Sequence, residues 1–213
     1  MCKTFSTVII VVTLLNLFVC KTKESQYDLD HELLFLTSQP FVGELEKVKK
    51  LVEKGASLEI KNDFDMTPLL NAAYIKNGER RFFTDNVEEK QSELEAVKIV
   101  KFLISKGADK SATDYKRNNA IHLAAYGGRD KMVQTLLELG FSVNEQNKAG
   151  ATPLIIAVAS GSLETVKFLV SKGADINHTT KENATALDIA KQYEHKEIAD
   201  YLENLGVKES FAK

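Results

Sequence analysis

Four histidines, His31, His122, His178 and His195, are the side chains best suited to proton transfer or metal ligation near neutral pH. They are scattered along the chain and none lies in an H-E-x-x-H pattern, the spacing that turns two imidazoles toward one metal. Asp188 and His195 stand seven apart on a helical stretch, about two turns, where a carboxylate can orient an imidazole as a general base. No candidate nucleophile accompanies them. The Gly127-Gly128 pair fits a turn between helices better than a phosphate-cradling loop. Cys2 and Cys20 both fall in the first twenty residues, so whatever folds after them has neither a disulfide nor a thiolate ligand. From these residues we expect no enzyme, no cofactor and no metal site.

Charge narrows the partners. Lys and Arg number 28 against 30 Asp and Glu, a net charge of −2. A nucleic-acid binder needs a basic surface that displaces counterions from phosphates, and this balance argues against one. The apolar fraction of 44 % suits a chain that buries a core.

Residues 1–22, MCKTFSTVIIVVTLLNLFVCKT, have the form of an export signal. A free amine and Lys3 precede a run from Val8 to Val19 that is apolar except for Thr13 and Asn16, followed by an abrupt polar exit. As a helix that run reaches about 18 Å, short of the roughly 30 Å needed to span a bilayer. Leu17-Phe18-Val19-Cys20 resembles the lipobox of bacterial lipoproteins, whose Cys becomes the acylated N-terminus; Val19 is bulkier than the small residue usual before that Cys. An ordinary cleaved signal and a retained anchor are the alternatives. Each sends the rest of the chain out of the cytoplasm, to the periplasm or membrane surface, or by secretion.

The elements that follow are written in a repeat. VKFLISKGAD at 100–109 and VKFLVSKGAD at 166–175 agree at nine of ten positions, and VQTLLELGFS from Val133 lies halfway between. Gly107, Gly140, Gly173 and Gly206 fall 33 apart, as do Ala120, Pro153 and Ala186. A fixed period of this length means stacked supersecondary units, none able to bury its apolar face alone. In DMTPLLNAAYIKNG (Asp65–Gly78), Thr67 can cap a helix that Pro68 starts, with Leu69, Ala72 and Ala73 on one face. Val100, Leu103 and Ile104 pattern a partner helix that stops at Gly107.

Thr67-Pro68-Leu69, Thr152-Pro153-Leu154 and Ile121-His122-Leu123-Ala124-Ala125-Tyr126-Gly127-Gly128 resemble the T-P-L-H-x-A-A-x-x-G signature of ankyrin repeats, and LLELGFSVN and LVSKGADIN resemble that family's second helix and exit. The resemblance implies an all-α solenoid of helix-turn-helix units joined by hairpin-like loops. We delimit a signal at 1–22, a linker at 23–29, five repeats at about 30–61, 62–113, 114–146, 147–179 and 180–206, and a tail at 207–213. Repeat one is degenerate, with Pro40 where the family has alanine, and Asn119-Ala120 and Thr185-Ala186 replace Thr-Pro in repeats three and five. The resemblance gives His122 the place of a structural histidine whose ring braces loops.

Gly55 to Gly107 is 52 residues, so repeat two carries 19 extra. Asp85 followed by Glu88 has the form of a capping box, and no Gly or Pro interrupts from there to Lys106. The second helix of this repeat is therefore expected to run two to three turns longer at its start and to project past its neighbours. Arg80, Arg81, Phe82 and Phe83 would form the loop entering it, as a partner contact or as a cover for the first helix.

Ankyrin arrays usually bind proteins through a concave side made of loop tips and first helices. Carried over to this chain, that side holds Phe64, Met66, Tyr74 and Ile75 in repeat two and Tyr115, Lys116, Asn118 and Tyr126 in repeat three. Repeat four offers Lys148, Ala149, Ala151, Ala159 and Ser160 there, and repeat five Lys181, Glu182, Ala184, Gln192 and Tyr193. Aromatics at solvent-facing positions are costly unless something covers them. We expect a non-enzymatic, monomeric module that binds a protein at repeats two and three, touching the membrane only through a lipid on Cys20. An inhibitor or immunity-type protein for an envelope enzyme is the runner-up. An envelope enzyme, a small-ligand receptor and a structural spacer stand further off.

Overall fold

The computed structural model describes residues 26–38, 43–74 and 86–208, with side chains from residue 90 onward in the last stretch. Ten helices fall within them. They are α1 over residues 26–38, then α2 Glu44–Glu53, α3 Pro68–Tyr74, α4 Asn86–Ser105, α5 Ala120–Tyr126, α6 Asp130–Glu138, α7 Pro153–Ser160, α8 Leu163–Ser171, α9 Ala186–Gln192 and α10 Lys196–Asn204. Among the described residues, extended pairing amounts to one bridge, Thr179 to Thr185. The fold is an all-α solenoid.

Several helix ends are set by local chemistry. Thr185 and Asp188 close a capping box at α9: the Asp188 N–H donates to Thr185 Oγ1 at 3.2 Å and the Thr185 N–H to Asp188 Oδ2 at 2.7 Å. At α3 the Leu70 N–H donates to Thr67 Oγ1 at 3.4 Å, and α7 begins with Pro153, whose missing N–H costs nothing in a first turn. The second helices end alike. Gly107 sits at φ 94° with open space around its Cβ position, so its backbone conformation, not crowding, selects glycine. The next N–H, of Ala108, donates back to Leu103 O at 3.0 Å and buries Ala108 against the helix end. Ala174 to Leu169 O and Val207 to Leu202 O repeat the device.

Packing joins nearest neighbours. α3, α5, α7 and α9 lie side by side as one layer, and α2, α4, α6, α8 and α10 as the other. Ala72, Ala73, Ala124, Ala125, Ala157 and Ala190 are fully buried, which lets first helices approach closely. Leu70, Val100, Leu103, Ile121, Leu136, Leu154 and Leu169 fill the seam between layers as one continuous core. Repeat one joins through α1, where Leu33 and Leu36 are buried and the Asn71 amide reaches Leu34 O at 3.4 Å. Pro40 lies outside the described residues.

The register break is a longer helix. α4 has 20 residues against 9 in α6, α8 and α10. All the excess precedes Val97, the position in step with Asp130, and amounts to about three turns, or roughly 16 Å. The turn nearest the stack is held rather than free. Glu95 Oε1 accepts from the N–H groups of Gly43 (3.1 Å) and Leu45 (3.0 Å), capping α2, which has no side-chain cap of its own. Glu93 Oε1 accepts from the Met132 N–H at 3.3 Å in the first turn of α6 and lies 3.8 Å from Arg129 Nε, on a side chain only 1 % exposed. The inserted residues thus serve the helices on either side.

Candidate protein-binding face

The loop tips follow one design. Residues 62–66, 114–118, 147–151 and 180–184 each fold back on themselves, with the first N–H donating to the fifth carbonyl at 3.0–3.2 Å. A side-chain oxygen at the first position holds the turn: Asn62 Oδ1 accepts from Phe64 and Met66 N–H, Asp114 Oδ1 from Lys116 and Asn118, and Asn147 Oδ1 from Ala149 and Ala151. Tips then link to one another, Lys148 N–H to Lys116 O and Lys181 N–H to Ala149 O, both at 3.0 Å.

His122 locks this ribbon to the helices. Its Nε2 lies 3.1 Å from Glu145 O and 3.2 Å from Ala151 O, and its Nδ1 2.6 Å from Asn119 Oδ1, the oxygen that also accepts from the His122 N–H at the start of α5. Two carbonyls facing Nε2 place the neutral ring's single N–H there. Burial pushes the ring down to about 4, against the pull of both carbonyls and the Asp114 charge. His178, in the loop before α9, ties that loop back to the preceding tip, with Nε2 at 2.8 Å from Gly150 O. His195 Nε2 lies 3.4 Å from Ala159 O, and Asp188 Oδ2 accepts from the Thr185 N–H and hydroxyl. Among the described residues no three His, Cys, Asp or Glu side chains converge as metal ligands would.

On this flank the exposed aromatics of repeats two and three form two pairs. Phe64 and Tyr115 meet at the loop tips, ring centroids 6.5 Å apart. Tyr74 and Tyr126 stack at the ends of α3 and α5, 6.1 Å apart and 11° from parallel. Their exposures run from 36 % at Tyr74 to 63 % at Phe64. Lys116 is exposed beside them, its Nζ 5.5 Å from the Tyr115 ring centroid. In repeats four and five the Tyr126 position is Ala159 and Gln192.

Two expected members behave differently. Met66 is buried, 7 % exposed, because the fifth loop residue returns into the stack, as Ala151 does; it leaves the surface set. Asn118, at the same place in the next loop, is half-buried, with Nδ2 donating to Asp114 Oδ2 at 2.9 Å and Oδ1 accepting from Asn147 Nδ2 at 2.8 Å. It ties one tip to the next. Cys20, Ile75, Arg80, Arg81, Phe82 and Phe83 lie outside the described residues. Sequence reasoning missed Glu93, Glu95 and Arg129; the one available signal was that Gly43 and Arg129 begin helices without a side chain able to cap them.

A stack of helix pairs, each resting on the next, with linked loop tips along one flank, defines a solenoid repeat protein. A family model described as ankyrin repeats (3 copies) matches residues 34–147, 91–180 and 142–209, and the chain belongs to the ankyrin-repeat family. The chain is also similar to the ankyrin repeat and KH domain-containing protein mask of Drosophila melanogaster, 32 % identical over 124 residues. That match takes in 56 % of this chain and 2 % of the fly protein's length. Ankyrin repeats indicate a protein–protein interaction module.

Proposed function

We propose that this protein is a non-enzymatic binding module, exported to the cell envelope, that docks a protein partner on the concave flank of repeats two and three. One observation carries the placement: four aromatic rings stand exposed and paired across these two repeats, whereas the positions after Tyr74 and Tyr126 in the series hold Ala159 and Gln192. Exposed aromatics give large contact area for little lost side-chain entropy. A stack already fixed by its own core adds little ordering cost when a partner docks. Export rests on residues 1–22, and anchorage on Leu17 and Cys20 as a lipobox.

The decisive experiment replaces Tyr115 and Tyr126 together by Ala. Affinity capture from the native envelope should lose its partner while far-UV circular dichroism and the melting temperature stay within a few degrees of the parent. Undiminished capture of the same partner overturns the placement. Mass spectrometry of the mature N-terminus in the same preparation reads the export route: a diacylglyceryl Cys20 supports the lipoprotein, and an intact residue 1 in soluble cytosolic protein overturns export.

A further inference from the structure

The fourth residue of every loop tip has a left-handed backbone: Asp65 at φ 59°, Arg117 at 58°, Gly150 at 75° and Asn183 at 59°. Glycine, Asn and Asp adopt this region at low cost, and Arg does not. A long side chain kept where the backbone disfavours it points to use of that side chain. The other long side chain in this region, Glu194, lies away from the tips, between α9 and α10. Arg117 stands among cations: Lys116 beside it, Lys148 on the next tip and Lys181 on the one after, all exposed. Among the described residues no ion pair within 4.0 Å engages any of the four. Asp114 does not neutralise them at the surface, since its carboxylate is buried and accepts from the Lys116 and Asn118 N–H groups and the Asn118 amide. Exposed Asp63 and Asp65 bound the stripe on one side and Glu182 on the other.

We infer that the tips of repeats two to four recognise an acidic protein segment carrying an aromatic or aliphatic side chain. That apolar side chain lodges against Phe64 and Tyr115, and the flanking carboxylates meet Lys116, Arg117 and Lys148. The charge pattern sets the class of partner. The cations form a narrow stripe one tip wide with carboxylates at both ends, which matches a single extended chain and repels a flat anionic membrane or a duplex. The inference rests on the protein-binding reading above and adds the chemistry of what is bound.

The test selects displayed random twelve-residue peptides on the purified protein and measures the enriched peptides by fluorescence anisotropy. Enriched peptides should be rich in Asp and Glu on one side of an aromatic or aliphatic residue, and should bind less tightly as salt rises. Lys148→Gln should weaken them about two- to fivefold and K116E/R117E more than tenfold. Arg117→Asn should weaken them about threefold while the melting temperature holds or rises, a combination that a merely structural Arg117 does not produce. Neutral or basic enriched peptides that depend on Tyr115 overturn the acidic inference and leave the protein-binding reading standing. Peptides indifferent to every tip and tyrosine substitution overturn both. Uptake on phosphatidylglycerol vesicles with no peptide selected overturns the inference in favour of a lipid surface.

Discussion

Removing the Glu95 carboxylate should loosen the N-terminal end of the array far more than an ordinary helix-surface change. One oxygen of this side chain, itself 7 % exposed, accepts from two N–H groups at the start of α2, while Lys98 Nζ lies 3.4 Å from the other. Glu95→Ala leaves both donors without that acceptor, and Gly43 supplies no substitute. A lost hydrogen bond to a charged group costs about 1.5–3 kcal/mol and a lost N-cap about 0.5–2 kcal/mol. Those two descriptions overlap, so the expected loss is about 2–4 kcal/mol. If the whole array melts together, that lowers Tm by about 5–12 °C. Glu95→Gln keeps an acceptor oxygen and should lose about 1 kcal/mol. Because stability in a solenoid is a sum of unit and neighbour terms, the loss should concentrate at one end. Hydrogen exchange followed by mass spectrometry should show α1 and α2 opening earlier, with α7 to α10 unchanged. A Glu95→Ala protein with parental Tm and parental protection in α2 would refute the claim that the insertion works as a cap.

Acid should act through His122. Its folded pKa is held near 4, below the ordinary value of 6.5, so the unfolded chain binds the extra proton between those values. Its contribution is present above pH 6.5 and drains as pH falls toward 4, by at most about 3 kcal/mol, which urea midpoints at pH 7 and 4.5 should show and His122→Gln should flatten. Gly107→Ala should cost about 1 kcal/mol or more through its left-handed backbone alone, read as a lower urea midpoint at unchanged m. Thr185→Ala should remove the α9 capping box and about 1 kcal/mol, with exchange rising in α9 and α10 while α3 to α6 hold.

The repeat was legible because each unit is written in local chemistry. Thr67 and Thr185 as caps, Pro153 at a first turn and Gly107 at a left-handed stop act within four or five residues, so neighbouring letters suffice to place them. The period then dictated stacking, since one helix pair cannot bury its own apolar face. The insertion was legible as added helix for the same reason: an uninterrupted run without Gly or Pro has little else to form. The role of that helix was not. Glu93 and Glu95 are ordinary helix glutamates by sequence, and their partners Met132 and Gly43 lie 39 and 52 residues away.

The binding flank divides along the same line. Phe64 stands beside Tyr115 and Tyr74 beside Tyr126, all exposed, because first-helix and loop positions repeat with the unit. Family position could not separate Met66, which turns inward, or Asn118, which bonds to Asn147 on the next tip. Side-chain direction within a five-residue turn depends on the neighbouring turn against which it packs. The sequence by itself determined the repeating helical unit and its stacking, since short-range caps, turns and periodic apolar faces carry that information. Only the tertiary structure decided which carboxylate caps a helix in another repeat, which loop residue faces inward and which cations stand together on the tips, because those outcomes are contacts between distant residues with no local signature.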